Sequence, residues 1–226
     1  MTLNVTIKGS EAELRAWARL YGKHVDKVAV DARRTIRQSK HEIAEWQAMC
    51  LYALATHVNL AVRRLDQRPG YALEIGTALG YSAYFLSRGL PHMFLTTLTP
   101  NDGERRAAQQ ALKPMAVECL GYKSWDYLKV SAWDYDVIFV DGDHARVAWD
   151  LPWFNRLQPN GLIIFHDFSP AGSARACPPV YEGVLKLARD LGRDPDVWLA
   201  DEGQVGMAGF YRREGETWQT TSAQPS

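Results

Sequence analysis

From residue 71 onward the chain alternates short apolar runs with amphipathic stretches, and this rhythm restricts its fold more than any other feature. The runs expected as strands are 71–75, 93–98, 115–120, 136–140, 161–165, 196–200 and 206–212. Helix-like segments fall between them at 80–89, 102–113, 144–157 and 179–191. Two of the runs, Val137-Ile138-Phe139-Val140 and Leu162-Ile163-Ile164-Phe165, are apolar without a break. An unbroken apolar strand is covered on both faces, as parallel strands flanked by helices are. Strand–helix alternation implies right-handed βαβ units, so the expected class is α/β, with a doubly wound, mostly parallel, seven-stranded sheet. Such sheets take ligands beyond the carboxyl ends of their strands.

The first 69 residues read differently. Ser10 followed by Glu13 is a capping-box pattern, and Leu14, Trp17, Ala18 and Tyr21 then share one helical face. Ser39 with Glu42 repeats the pattern before Ile43, Trp46, Met49, Cys50, Ala53 and Leu54. These stripes are read as packing surface, with the cover of a substrate pocket as the second reading. The expected organisation is a helical segment over 1–69, an α/β domain over 70–214 and a polar, frayed tail over 215–226.

Lys+Arg and Asp+Glu are equal at 26 each, so nothing favours a polyanion, and no nucleic-acid partner is expected. The three cysteines form no CxxC pair, which suggests neither a disulfide framework nor a zinc knuckle. The start of the chain has no apolar signal region, and no run approaches the roughly 18 apolar residues of a membrane span. A cytoplasmic setting without a membrane partner is the default.

Three strand ends carry the chemistry. The first reads Leu73-Glu74-Ile75-Gly76-Thr77-Ala78-Leu79-Gly80-Tyr81-Ser82. Its glycines are spaced GxxxG rather than GxGxxG, so a pyrophosphate cradle lacks its middle glycine. An acid before the turn suits a ligand with an ammonium and a sugar better than one with two phosphates. The second end reads Phe139-Val140-Asp141-Gly142-Asp143-His144, and the third Ile164-Phe165-His166-Asp167-Phe168. On adjacent parallel strands these clusters meet at one edge, where carboxylates and imidazoles can hold a divalent cation or supply a general base. The plain alternatives are that Asp143 or Asp150 caps or flanks the next helix and that His166 is a satisfied buried side chain.

Together, LEIGTALGYSAYFLS, YDVIFVDGDHARVAWDL and LQPNGLIIFHD resemble the class I S-adenosylmethionine-dependent methyltransferases. The nearest likeness is to the small-molecule O-methyltransferases of the macrocin and catechol types, the family 24-like group. The resemblance implies a Rossmann-like methyltransferase fold, an enzyme with S-adenosylmethionine as cofactor and a small-molecule acceptor; a homo-oligomer is one option for partners, with the oligomeric state left open by the sequence. It places Glu74, Gly76, Thr77 and Gly80 in the motif that wraps the methionine part of the cofactor, with Ser82 opening the following helix. Asp141 falls near the transferred methyl and, in the catechol-like branch, on magnesium, with Asp167 as the second metal acid. His144 falls where that family orients or deprotonates the acceptor, with His166 in reserve.

The departures are specific. The acid that grips both ribose hydroxyls at the end of the second strand is Thr99 here, with Asp102 close behind it. An acid before a serine, which holds the adenine amino group, is replaced by Lys123 before Ser124, although Trp125 can still stack on the base. The third metal ligand of the catechol-like branch, an asparagine, is Phe168. A methyltransferase-like binding or scaffold module with weakened or lost cofactor use is therefore the alternative. A nicotinamide-dependent oxidoreductase is disfavoured by the same missing glycine and ribose acid. The segment Ser169 to Pro179 is expected beside the acceptor pocket, with Arg175 as a solvated or anion-meeting side chain.

Overall fold

The structure, a computed structural model, describes residues 3–36, 43–65, 69–170, 172–173, 175–201 and 205–219. The Ser39–Glu42 pattern lies outside the described residues.

The strands are β1 (Val5–Gly9), β2 (Gly70–Ile75), β3 (Met93–Leu98), β4 (Val117–Leu120), β5 (Tyr135–Val140), β6 (Leu157–Phe168), β7 (Val197–Asp201) and β8 (Gly206–Tyr211). They form one sheet in the order β1-β7-β8-β6-β5-β2-β3-β4. β8 runs antiparallel to β6 and β7, and the other pairings are parallel. The sheet thus has eight strands among the described residues rather than seven. The addition is β1, in a segment expected to be helical, which pairs with β7 at the edge. From β2 the chain steps outward through β3 to β4, then returns to β5 and steps the other way to β6. The β2/β5 junction is consequently the switch point, where the crevice beyond the strand ends opens.

The α-helices are α1 (Glu11–Tyr21), α2 (Val25–Thr35), α3 (Glu45–Leu65), α4 (Tyr81–Gly89), α5 (Asp102–Leu112), α6 (Ser124–Val130) and α7 (Pro178–Leu191). β5 and β6 show why both runs had to be apolar. Val137, Phe139, Leu162 and Ile164 join one core cluster, with residues of α1 to α5. Ile138, Val140, Ile163 and Phe165 join the other, with α6 and α7. The Ser10–Glu13 box caps α1 as expected. α3 is buried on every side from Trp46 to Ala55, so it is a core helix rather than an amphipathic one.

The helix expected over 144–157 is instead two short 3₁₀ turns, His144–Trp149 and Leu151–Arg156. Pro152 lacks the N–H that would continue an α-helical ladder, and Arg146 already leaves helical geometry at φ −120°. The expected tail also begins later than Glu214. Trp218 is buried, its backbone N–H donating to Asn155 Oδ1 at 2.7 Å and its indole to Asp190 Oδ2 at 2.8 Å.

Candidate active site

At the β2/β5 switch point the strand ends enclose a cleft of about 690 Å³. Four turns form its wall in spatial order. After β6 come His166 and Asp167, after β5 Asp141 to His144, after β2 Gly76 to Ala78, and after β3 Thr99 and Pro100. Tyr122 to Trp125, following β4, close the far end. Ile43, Ala44 and Gln47, at and just before the start of α3, cover part of the opening. Gln47 is tied across the cleft rim by donating to the Val205 carbonyl at 2.9 Å.

Gly76 is the pivot. It has φ +102°, and a Cβ there would lie 2.1 Å from the Asp141 carbonyl oxygen. Its N–H and that of Thr77 both donate to the Leu98 carbonyl, while Asp141 N–H donates to Ile75 O at 2.8 Å. The turn thereby locks β2, β3 and β5 together. Glu74 lies beneath it, fully buried, accepting from the Thr97 hydroxyl. That hydroxyl in turn shares a 2.5 Å hydrogen bond with Thr77. Glu74 and Gly80 therefore sit behind the cleft wall, whereas Gly76, Thr77, Ser82 and Thr99 form part of it.

The reacting end is a cluster of two carboxylates and two imidazoles. His166 Nδ1 lies 2.9 Å from Asp141 Oδ1 and 3.3 Å from Asp167 Oδ1. His144 Nε2 lies 3.3 Å from Asp141 Oδ1 and 3.1 Å from Asp167 Oδ2. His166 and Asp167 are consecutive, yet both face the cleft. Asp167 has φ +56°, and the β6–β8 register shifts between His166 and Phe168. This bulge overrides the usual alternation of side chains along a strand. Holding an aspartate in the left-handed region costs about 1–2 kcal/mol, a strain typical of functional turns.

The charges are mutually supporting. Burial opposes ionisation of Asp141, but the neighbouring His166 and His144 outweigh it and hold the carboxyl below its ordinary value. The hydrogen bond from Asp141 raises His144, against the opposing effect of burial, with Asp167 adding to the rise. Burial lowers the affinity of His166 for a proton, but Asp141 and Asp167 more than compensate and leave it raised. Asp141, His144 and Asp167 bring donor atoms within 4.8 Å of one another. Phe168 is fully buried against Tyr181 and Trp198 and offers no third oxygen.

At the far end, Trp125 is flanked by Trp149 at 4.7 Å, edge to face, with the Arg146 guanidinium 5.4 Å and the Lys123 ammonium 5.5 Å from its ring. The Ser124 hydroxyl donates to Asp150, which is 3% exposed. Burial pushes the Asp150 carboxyl up to about 7, against the opposing Ser124 bond. The unfolded chain ionises this group near pH 4, whereas the native state resists until about pH 7. The group therefore costs nothing below pH 4, and its penalty grows up to pH 7, reaching at most about 4 kcal/mol. Asp150→Asn still accepts from Ser124 but cannot ionise. Its thermal stability should gain on the wild type steadily from pH 4 to pH 8. A difference that does not change with pH would contradict the assignment.

A family described as a methyltransferase domain matches residues 73–168, from β2 through β6. Over that stretch the chain is similar to a methyltransferase domain. Solved structures agree on the fold. The SAH-bound methyltransferase of Podospora anserina is 18% identical with a TM-score of 0.60, over 92% of this chain and 95% of that one. An O-methyltransferase of Bacillus cereus in complex with SAH is 17% identical, TM-score 0.56, over 89% of this chain and 100% of that one. The O-methyltransferase TomG of Streptomyces achromogenes, in complex with SAM, is 18% identical, TM-score 0.55, over 88% and 96%. Comparison with curated proteins gives no match. The matched stretch contains the glycine turn, the His144 and His166 clusters and Trp125. The helical start of the chain contributes Ile43, Ala44 and Gln47 to the same cleft. No helix among the described residues is long and apolar enough to cross a membrane.

Glu104 and Arg146 are among the wall residues that escape the motif reading. Glu104, in the first turn of α5, accepts from the Thr99 hydroxyl at 2.9 Å. Arg146 lies beyond the DGDH motif and leans on both tryptophans.

Proposed function

We propose that the cleft binds S-adenosylmethionine and directs its methyl group to an oxygen of a small-molecule acceptor, with His144 taking the acceptor's proton. The observation that carries this reading is the His144–Asp141–Asp167 cluster, set beside the glycine turn at the switch point of a methyltransferase domain. The bound cofactor supplies an electrophilic methyl on a sulfonium, which needs alignment rather than activation.

The chain's own residues do the rest. Asp141 and Asp167 both face His144 Nε2 and hold the proton there. That leaves Nδ1, which has no hydrogen-bond partner among the described residues, as the acceptor nitrogen. The logic is that of a carboxylate fixing a histidine tautomer. Transfer of the methyl to the acceptor oxygen would leave the carbon–sulfur electron pair on the cofactor's sulfur, so the charge this chain has to manage is the acceptor's proton. The acceptor proton passes to His144 Nδ1, and the two carboxylates stabilise the imidazolium. His166, 6% exposed and bonded to Asp141, holds that carboxylate in place and is the reserve base.

Magnesium prefers an all-oxygen, near-octahedral set. Asp141 and Asp167 are instead each engaged by both His144 and His166, and Phe168 adds no oxygen, so proton removal in this reading falls to His144. Labelled methyl transfer to a panel of phenols and alcohols, read as product with and without EDTA, tests it. Transfer that survives EDTA is expected. Transfer abolished by EDTA and restored by magnesium would overturn the metal-free assignment.

The second reading, a binding or scaffold module without turnover, rests on Thr99 and Lys123. Together these departures remove up to two charge-assisted hydrogen bonds, each of order 1.5–3 kcal/mol. It predicts no transfer to any acceptor even with the site saturated.

A further inference from the structure

Resting on that cofactor reading, we propose that Glu104 accepts the hydrogen bonds of the cofactor's ribose hydroxyls, in place of the strand-end acid that Thr99 has displaced. A ribose edge presents two hydroxyl donors, and a carboxylate accepts both at once. Thr99 cannot do this. It is 3% exposed, its hydroxyl already donates to Glu104 Oε2 at 2.9 Å, and the Thr99 Oγ1 oxygen accepts from the Asn101 N–H at 3.2 Å. Asp102 cannot do it either, because its side chain is 68% exposed, paired with Arg105 at 2.8 Å and off the cleft wall.

Glu104 is on the wall, and it is held ready. Oε2 takes the Thr99 hydroxyl and Oε1 takes Asn101 Nδ2 at 3.2 Å. Asn101 Oδ1 caps the start of α5 by accepting from the Gly103 and Glu104 amides. Each carboxylate oxygen has capacity for a second hydrogen bond, so one site per oxygen remains for two hydroxyls. Among the described residues no lysine or arginine pairs with Glu104, and its charge is not spent elsewhere. The order of turns along the sheet edge agrees. A nucleoside with its reacting end at Asp141 on β5 crosses the β2 glycine turn, meets β3 with its sugar and reaches Trp125 beyond β4 with its base. The other acids on the wall, Asp141, Asp143 and Asp167, belong to the β5 and β6 end.

The test is calorimetric binding of S-adenosylhomocysteine and of its 2′-deoxy analogue to the wild type and to Glu104→Gln. Glutamine keeps the size and can still accept from Thr99, and an unchanged melting curve without ligand confirms that the fold is intact. The expected result is a loss of S-adenosylhomocysteine affinity in the variant of about 10- to 100-fold. The wild type should also lose affinity for the 2′-deoxy analogue, whereas the variant should bind both ligands alike. Equal affinity of wild type and variant, or an undiminished 2′-deoxy penalty in the variant, would overturn the assignment to Glu104 while leaving the cofactor reading standing. A wild type that binds neither ligand would overturn both.

Discussion

Replacing His144 with alanine should lower the rate of methyl transfer by about 10²- to 10⁴-fold, the usual worth of a positioned general base. S-adenosylhomocysteine affinity should stay within a few-fold of wild type. The separation of the two readouts follows from where the residue sits. His144 lies at the β5 end of the cleft, away from the β3 and β4 turns, and its imidazole is tied to Asp141 and Asp167 rather than to the glycine turn. Because its side chain is 38% exposed, truncation opens little buried space, and the fold should survive. The raised proton affinity of His144 adds a second signature. The base works only when neutral, so the acid limb of the rate profile should lie above the ordinary imidazole range near 6.5 and vanish in the alanine variant. A variant that transfers at the wild-type rate would remove His144 from the mechanism.

The Gly76→Ala variant should suffer more broadly, losing about 2–4 kcal/mol of stability along with cofactor binding and transfer. Two independent penalties coincide at this position. The backbone sits at φ +102°, where a side chain is strained whatever the space, and the new Cβ would meet the Asp141 carbonyl oxygen at 2.1 Å and its carbon at 2.6 Å. Both are backbone atoms and cannot rotate aside. Relief requires β5 to withdraw from β2, which breaks the Asp141 to Ile75 hydrogen bond and carries Asp141 and His144 with it. Gly80 is the internal control. It also has positive φ, but its Cβ would meet the Leu112 side chain at 3.0 Å, which can give. Gly80→Ala should therefore cost about 1 kcal/mol or slightly more. Thermal denaturation of the two variants checks the ranking, and equal losses would show that the close approach at Gly76 is unimportant.

These effects trace back to features the sequence carried openly. The unbroken apolar runs of β5 and β6 could be covered only on both faces, and the sheet follows from that. The DGDH and FHD ends converge because β5 and β6 are adjacent and parallel. Other features had no local signal. β1 is five residues at a sheet edge with alternating exposure, and only its pairing with β7 makes it a strand. The α-helical period over 144–157 was real in its apolar spacing, but Pro152 interrupts the ladder. The bulge that turns Asp167 toward the cleft depends on β8, which arrives about forty residues later. The ribose acid shows the role of helix phase. Asp102 and Glu104 are both near Thr99 in sequence, but at 100° per residue they face nearly opposite ways once α5 starts at Asp102. Which of them reaches the cleft depends on where the helix begins, and the Asn101 cap decides that.

The most direct test of the central claim is a calorimetric titration of the wild-type protein with S-adenosylhomocysteine. One site per chain is expected, saturable well below millimolar ligand, with binding weakened in Gly76→Ala and nearly unchanged in His144→Ala. No heat and no thermal shift at millimolar ligand would contradict it, and would leave the cleft without its cofactor.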